Sequence, residues 1–396
     1  MKTTKVLLSF IFIINILPLF AEPLNSPTWG FRIDLPPDYR HSGGDGKNRF
    51  SFTSETGLVF DLAVYQGNYA SVEEAASDAG RRLGNRGENA SFDYHGKKAV
   101  MMQLDFTDNA DKNSRKTGWG LSIEMAKPET ERAASGSPPL LLALSYGHEG
   151  DDSLELLKLS VLDSLSPSAT ERRYPGPVSD FSYPRGKKVM KAIAGTYLDA
   201  QFGENDAEAS QSLVDREFAV LKRYAASGRW QEAWIRFYRA IYRDSWERLI
   251  DASFQLERLW NTGSPETDPA GDDDIDIQNR AFAGLALEWV QSFIYERDLM
   301  GSDFVNLVTA IQEGRGDCDS RAMLWSIIMA QGCIPSGVMV SRDYSHAMGL
   351  ADLKGSGARF PGGKNYMVAE TTTHVSIGMI AREQSDIAQW LAVMFE

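Results

Sequence analysis

The segment from Cys318 to Ala330 constrains the fold more than any other part of this 396-residue chain. Its sequence, CDSRAMLWSIIMA, places apolar residues on most sides of a helix, and a helix that is hydrophobic nearly all round has to be buried. Gly314 and Gly316 come just before it and predict a surface loop. We therefore expect Cys318 at the point where a surface loop becomes the first turn of a core helix.

This position favours a reactive thiol. The thiolate is the nucleophilic form of cysteine, and the N-terminus of a helix stabilises negative charge. The free N–H groups of the first turn can also stabilise an oxyanion. Asp317 and Asp319 flank the cysteine and would oppose a thiolate, so we expect both to face solvent. The alternative is a buried and inert cysteine, since free cysteine is often a core residue.

A nucleophilic thiol needs a base, and the base needs an acceptor that orients it. The strands predicted after the helix are Val338–Val340, Tyr344–Leu350 and Tyr366–Thr371. His346 lies on the second of these strands and Glu370 on the third. If the two strands are antiparallel neighbours, directly opposed side chains have Cβ atoms about 5 Å apart, which lets the carboxylate fix the imidazole tautomer. His374 is the competing base.

A cysteine opening a buried helix, then a strand with His and a strand with an acid, is found in GRGDCDSRAMLWSIIMAQGCIPS, SHAMGLAD and YMVAETTT. This order resembles the transglutaminase-like superfamily over residues 279–380. The resemblance implies a papain-like fold and acyl transfer from an amide through a thioester. It assigns Cys318 as nucleophile, His346 as general base and acid, and Glu370 as orienting acid. Asp is commoner than Glu at the third position, and AMGLAD departs from the aromatic–acidic pattern after the histidine.

The donor to the oxyanion and the role of the second cysteine are further expectations. Gln312 lies six residues before Cys318, a spacing that resembles papain-type peptidases, and Tyr295 or Trp289 is the alternative donor. A disulfide between Cys318 and Cys333 is excluded because the intervening helix separates them by roughly 20 Å, whereas bridged Cα atoms lie within about 7 Å. We expect Cys333 to pack in the core just past the helix.

Residues 24–166 alternate strands with two helices. The predicted strands begin in WGFRIDLP and continue at Leu58–Tyr65, Lys98–Phe106, Trp119–Met125 and Leu140–Tyr146. Ser71–Leu83 opens with a serine cap and predicts one helix, and Asp152–Leu165 predicts an amphipathic second. The element order and the opening strand resemble PsbP-like domains, which implies an α/β/α sandwich.

The middle of the chain connects the two parts. Residues 167–186 are rich in Ser, Pro and Arg and predict a linker. Residues 187–276 predict a helical connector, with helices at Ala207–Ser227 and Trp230–Tyr242 and an acidic loop at Asn261–Asp276 that lacks an EF-hand pattern. The resemblance implies that residues 277–396 form a transglutaminase-like domain. The predicted fold class is α+β, multidomain.

Charge and cysteine content exclude several functions. The net charge of −13 argues against a general nucleic-acid or anionic-membrane binder. Only two cysteines are present, which excludes a disulfide scaffold. Without a CxxC pair, and with five scattered histidines, no zinc site is predicted, and no other metal or cofactor is either.

Residues 1–21 have the charged, apolar and small-residue order of a signal peptide. An exported protein, periplasmic or on the cell surface, is therefore expected, with no integral membrane span after signal removal. A retained N-terminal anchor is the alternative. The favoured function is a cysteine hydrolase or acyltransferase with a catalytic triad, acting on peptide, protein or peptidoglycan-linked amide substrates. A catalytically silent binding or scaffold protein of the same fold is the competing hypothesis, and the oligomeric state is left open.

Overall fold

A computed structural model describes residues 22–108, 111, 114–126, 137–150, 152–261, 272–296, 303–360 and 365–395. The signal peptide predicted at 1–21 lies outside these residues. The described residues form a mixed α and β structure with a large sheet in the N-terminal part, a smaller sheet in the C-terminal part and long helices between them. None of the helices in the described ranges has the length and apolarity that a membrane crossing requires.

The N-terminal part is built on a seven-stranded antiparallel sheet in the order β3-β4-β5-β9-β8-β7-β6. A short ribbon, β1 (Leu24–Asn25) with β2 (Arg32–Ile33), precedes it. The sheet strands are β3 (Arg40–Gly44), β4 (Arg49–Thr53), β5 (Val59–Tyr65), β6 (Asn89–Tyr94), β7 (Lys97–Thr107), β8 (Arg115–Glu124) and β9 (Leu140–His148). The four strands predicted after WGFRIDLP correspond to β5, β7, β8 and β9. Strand β3 was not predicted because it is an exposed edge strand without apolar alternation. Strands β4 and β6 were also missed, although apolar residues alternate with polar ones along both.

The two predicted helices cover opposite faces of this sheet. Helix α1 (Val72–Leu83) is capped by Ser71, whose side chain accepts from the N–H of Glu74, and it ends at the left-handed Gly84. It packs with one set of sheet residues, including Val100 and Met102. Helix α2 (Glu155–Asp163), after a 3-10 turn at Asp152–Leu154, packs on the other face. The sheet thus lies between two helical layers, as expected for a sandwich.

The segment predicted as a linker, 167–186, is packed rather than solvated. It contains a 3-10 helix (Thr170–Arg173) and helix α3 (Pro177–Ser182). Ser179 donates from both its N–H and its hydroxyl to the buried Asp163 carboxylate, and the hydroxyl of Tyr94 donates to the carbonyl of Pro175. The composition predicted a linker; in the structure this segment forms two short helices and is hydrogen-bonded to buried partners of the N-terminal part.

The connector begins with a hairpin that was not predicted, β10 (Lys188–Ala192) with β11 (Asp199–Gly203). Two antiparallel helices follow, α4 (Asp206–Tyr224) and α5 (Trp230–Asn261). Helix α5 is much longer than expected, and it contacts α4, β11 and the C-terminal part. A continuous hydrophobic core runs from the N-terminal sheet through this pair to the C-terminal helices.

Buried charges join the helical pair to the N-terminal part. Glu217 of α4 accepts from Arg236 of α5 at 2.6 Å and from the hydroxyl of Ser160 of α2 at 2.8 Å. Arg216 pairs with both Asp163 and Glu217. Each ion has a partner of opposite charge, as burial requires, so the geometry of this junction is specified by polar contacts as well as by apolar packing.

The C-terminal part combines helices, a short parallel strand pair and a five-stranded sheet in the order β16-β17-β15-β14-β18. Its first elements are α6 (Asp272–Gln291), β12 (Ile294–Tyr295), α7 (Leu307–Glu313), β13 (Arg315–Gly316) and α8 (Cys318–Gln331). The sheet strands are β14 (Ser336–Ser341), β15 (His346–Ala351), β16 (Arg359–Phe360), β17 (Tyr366–Ala369) and β18 (Leu391–Met394). Between β17 and β18 lie 3-10 turns at Arg382–Gln384 and Ile387–Gln389.

Helix α8 is buried, as its composition required. Trp325 is fully buried on this helix, and its ring faces Gly349 of β15; a Cβ at Gly349 would lie 2.5 Å from that ring. Glycine is therefore what lets the helix approach the sheet so closely. The acidic-loop prediction is wrong at its end, because residues 272–276 start α6; residues 262–271 lie outside the described ranges.

Candidate functional site

Cys318 lies where the sequence places it, at the first position of α8. Helix α7 ends at Gly314 in the left-handed conformation, with φ of 63°, and β13 leads directly into the N-cap residue Asp317. Strand β13 pairs in parallel with β12, so that Tyr295 is opposite Gly316. Cys318 itself is 6% exposed. The turn and the strand pair thus fix the approach of the chain to the thiol.

Two neighbouring groups act on the thiol. The backbone N–H of Ala347, the residue after His346 on β15, lowers the pKa of Cys318. The thiol itself donates to Oδ2 of Asp319 at 3.5 Å. Burial raises the pKa of Cys318, and the charges of Asp319 and Asp317 raise it further; the Ala347 N–H works in the opposite sense. Burial and the two carboxylates thus favour the neutral thiol, despite its place at a helix N-terminus.

The expectation that Asp317 and Asp319 face solvent is wrong. Asp317 is 2% exposed, and its Oδ1 accepts from the N–H of Ser320 at 2.8 Å and from the hydroxyl of Ser320. It is a helix cap, and burial followed by the charge of Asp319 raises its pKa well above the usual range. Asp319 is half-buried and accepts from the hydroxyl of Tyr238 on α5. Helix capping and contact with α5 turn these carboxylates inward.

His346 and Glu370 are hydrogen-bonded to one another. His346 Nε2 lies 2.8 Å from Glu370 Oε2. The strands are antiparallel neighbours, as predicted, but the two residues are not directly opposed. The register pairs Gly349 with Ala369, so Glu370 falls beside Met348 and reaches His346 diagonally. With Nε2 donating to the carboxylate, Nδ1 is the nitrogen left to accept a proton.

Glu370 is itself held in place. Its Oε1 accepts from both the N–H of Thr372 at 2.7 Å and the hydroxyl of Thr372 at 2.6 Å. Burial alone raises the pKa of Glu370, but the hydrogen bond and charge of His346, together with the Thr372 bonds, outweigh it and lower the pKa. Glu370 is therefore an ionised acceptor that fixes the orientation and tautomer of His346.

The three oxyanion-donor candidates lie in different places. Gln312 lies on α7, and no side-chain hydrogen bond within the described ranges joins it to Cys318, His346 or Glu370. Trp289 donates its Nε1–H to the carbonyl of Ala194 at 2.8 Å, so this N–H is already used within the fold. Tyr295 lies opposite Gly316 in the strand pair and is 49% exposed. Of the three, Tyr295 lies beside the turn that leads into Cys318.

The structure separates the competing residues from the site. His374 is exposed and follows β17 in a bend, whereas His346 carries the bond to Glu370. Cys333 is free and exposed, at φ of 62°, so the expectation that it packs in the core is wrong. It follows the end of α8 in a left-handed conformation that turns its side chain outward. Cys318 is also free.

Two residues that sequence reasoning missed organise the site. Arg321 is 1% exposed and donates to the carbonyls of Gly316 at 3.0 Å, Phe293 at 2.6 Å and Thr371 at 3.4 Å. Gln291 donates its amide to the carbonyl of Glu370 at 2.8 Å. Arg321 could have been noticed as a single arginine within an otherwise apolar helix. Nothing in the sequence distinguishes Gln291.

Aromatic residues cover the other side of the histidine. The ring of Trp390 lies 6.3 Å from that of His346 and 5.5 Å from that of Tyr344. Trp390 is 7% exposed and packs in the outer hydrophobic cluster of the sheet. Apolar cover on this side limits water around the His346–Glu370 pair and strengthens their interaction.

The donor atoms of Asp317, Cys318 and Asp319 all lie within 4.8 Å of one another. The sequence did not predict this cluster, because it contains neither a CxxC pair nor paired histidines. Two of its carboxylate oxygens are already engaged, by Ser320 and by Tyr238. A structural zinc site takes four ligands, so the cluster offers fewer donors than such a site uses.

Comparison with known proteins finds only distant structural similarities. No protein-family model and no curated protein matches the chain. The chain is similar to the solution structure of cyanobacterial PsbP (CyanoP) from Synechocystis sp. PCC 6803, at 12% identity and a TM-score of 0.26, covering 37% of this chain and 91% of that chain. It is also similar to a crystal structure from Bacteroides thetaiotaomicron VPI-5482, at 11% identity and a TM-score of 0.25, covering 56% of this chain and 77% of that chain. The resemblance to PsbP-like domains is thus weak in structure as in sequence, and TM-scores this low carry no conclusion about function.

Proposed function

We propose that the C-terminal part is a transglutaminase-like, papain-type domain that cleaves or exchanges amide bonds through a thioester on Cys318. The observation that carries this proposal is the hydrogen bond between His346 and Glu370. The residue that follows His346 on β15, Ala347, has the backbone N–H that lowers the pKa of Cys318. A nucleophile beside a base that is oriented by an acid is the arrangement covalent acyl transfer needs.

In this proposal, Nδ1 of His346 takes the proton of Cys318 as Sγ attacks the carbonyl carbon of an amide. The tetrahedral oxyanion is stabilised by the backbone N–H of Cys318 at the start of α8. The C–N bond then breaks, and His346 returns the proton to the leaving amine. Water or a second amine then attacks the thioester carbonyl and gives its proton to His346. The C–S bond breaks, the acyl group leaves as a carboxylic acid or a new amide, and His346 returns the proton to the sulfur.

The cellular location and the substrate class are part of the same proposal. Export to the periplasm or cell surface rests on residues 1–21, and the substrate is a peptide, protein or peptidoglycan-linked amide. Tyr295 replaces Gln312 as the preferred side-chain donor, because it lies next to the turn before Cys318.

A second candidate is a catalytically silent binding protein with the same fold. The hydrogen bond from Cys318 to Asp319, and the pKa of Cys318 that burial and the neighbouring carboxylates raise, favour it. A neutral thiol that donates to a carboxylate is a poor nucleophile.

The experiment is iodoacetamide alkylation of a Cys333→Ser protein, since the exposed Cys333 would otherwise react. The rate at Cys318 is followed by peptide mass spectrometry from pH 5 to 10, with His346→Ala, Glu370→Gln and His374→Ala compared. The proposal expects His346→Ala and Glu370→Gln to change the pH profile and His374→Ala to leave it unchanged. Incubation with peptide amides and an amine donor then tests for product. Identical profiles in all variants, together with absence of product, would support the silent alternative.

A further inference from the structure

The contact between Cys318 and Asp319 is not part of the acyl-transfer chemistry described above. Among the described contacts, the thiol donates to Asp319 and not to His346. The neighbouring residue on the helix therefore holds the proton that the histidine has to remove.

Asp319 is held in this position from outside the C-terminal part. Its Oδ1 accepts from the hydroxyl of Tyr238, which is 3% exposed on α5. Burial, followed by the charge of Asp319, raises the pKa of Tyr238 far above its usual range, so this hydroxyl remains a donor. With one oxygen bound to Tyr238, the other is left facing the sulfur.

We propose that Asp319 restrains Cys318 in its neutral form, with Tyr238 holding the carboxylate against the thiol. The contact competes with His346 for the thiol proton, and a carboxylate so close to sulfur opposes a thiolate by like-charge repulsion. The restraint is a matter of charge, so neutralising Asp319 releases the thiol to His346. This inference rests on the proposed function and names the regulation of its site.

The titratable and charged groups that face the thiol and its neighbours come from several elements. They are Asp319, Asp317 and Arg321 on α8 and its cap, Asp303 before α7, Tyr238 on α5, Tyr295 on β12, His346 on β15 and Glu370 after β17. Asp303 acts on Asp317, and Asp317 caps the helix. Asp319 alone among these carboxylates is hydrogen-bonded to the sulfur.

The test compares Asp319→Asn with the parent protein in the Cys333→Ser background, after treatment with a chelator. Asparagine keeps the acceptor for Tyr238 and loses the charge. We expect alkylation of Cys318 at pH 7 to be at least about tenfold faster, since each pKa unit changes the thiolate fraction tenfold, and the rise of rate with pH to move to lower pH. Tyr238→Phe should shift both in the same direction by a smaller factor, because the carboxylate is then free to turn away.

Asp343→Asn is the matched control. Asp343 is exposed three residues before His346, so its loss removes the same charge near the site without touching the thiol, and the alkylation profile should stay at the parent's. Folding of every variant is checked by circular dichroism, and Tyr238→Phe carries the test if Asp319→Asn does not fold.

Two results would overturn the restraint. One is a folded Asp319→Asn protein that alkylates no faster than the parent; the other is an equal acceleration in Asp343→Asn. Adding His346→Ala to the parent and to the Asp319→Asn protein separates the two proposals. If it leaves the alkylation profiles of both proteins unchanged, the cysteine–histidine pairing fails. If it alters them while Asp319→Asn has no effect, the restraint alone fails.

Discussion

Arg321 offers a direct test of how the site is held together. Its guanidinium donates to three buried carbonyls, of Gly316, Phe293 and Thr371. Arg321→Met keeps a long apolar side chain and removes every donor. A buried group left without its hydrogen bond costs about 1–3 kcal/mol, and relaxation recovers part of the sum. We therefore expect a loss of about 3–5 kcal/mol, which is a large fraction of the usual stability of a folded domain.

The assay is thermal unfolding followed by tryptophan fluorescence, because Trp325 is fully buried on the same helix. For a chain of this length, a loss of that size corresponds to a decrease of about 4–6 °C in Tm. Arg382→Met is the control. Arg382 is exposed at the start of a 3-10 turn, and we expect a change of less than about 0.5 kcal/mol.

A decrease in Tm no larger than that of Arg382→Met would refute the reasoning. The three carbonyls would then have found other donors, and Arg321 would not be the residue that holds Phe293, Gly316 and Thr371 together. The same protein also reports on the site: alkylation of Cys318 should lose its dependence on His346, because the turn before α8 is no longer anchored to residue 371.

Three other substitutions have expected outcomes. Glu370→Gln should reduce turnover of an amide substrate by about 10²–10⁴-fold, since the tautomer of His346 is no longer fixed. Because the folded-state pKa of Glu370 is lowered, its contribution to stability is full above 4.5 and is lost as pH falls through the lower folded value; the variant should flatten that acid limb in pH-dependent urea unfolding. Gly349→Ala should cost about 1–3 kcal/mol by overpacking against Trp325, whereas Gly284→Ala, which has open space around its Cβ, should not lower Tm. Glu217→Ala should cost about 3–5 kcal/mol in urea unfolding, because it leaves Arg236 buried without its carboxylate; a loss no greater than that of the exposed Glu383→Ala would contradict this.

The order of elements around the cysteine follows from local pattern. The run CDSRAMLWSIIMA predicted a buried helix that starts at Cys318, and α8 begins there. Alternating or apolar runs placed β14, β15 and β17 to within a few residues. Such features are decided by hydrophobic periodicity and by glycine at turns, which act over a few residues.

Contacts between residues that are distant in sequence could not be predicted from local pattern. The composition of residues 167–186 predicted a linker. In the structure, polar groups of this segment are hydrogen-bonded to Asp163 and Tyr94 of the N-terminal part. The exposed edge strand β3 carries no apolar alternation, and β18 is placed only by its pairing with β14. The diagonal register of His346 and Glu370 depends on strand pairing, which local pattern does not fix.

The sequence by itself determined that a cysteine opens a buried helix and that a histidine and an acid follow on or next to two later strands, because apolar periodicity predicts those elements. Tertiary structure decided the chemical state of that cysteine. Helix α5 brings Tyr238 from 81 residues away in the chain to hold Asp319 against the sulfur, and burial turns Asp317 inward as a cap. Electrostatics at the thiol depends on which charges the fold places within a few ångströms, and that is a property of packing.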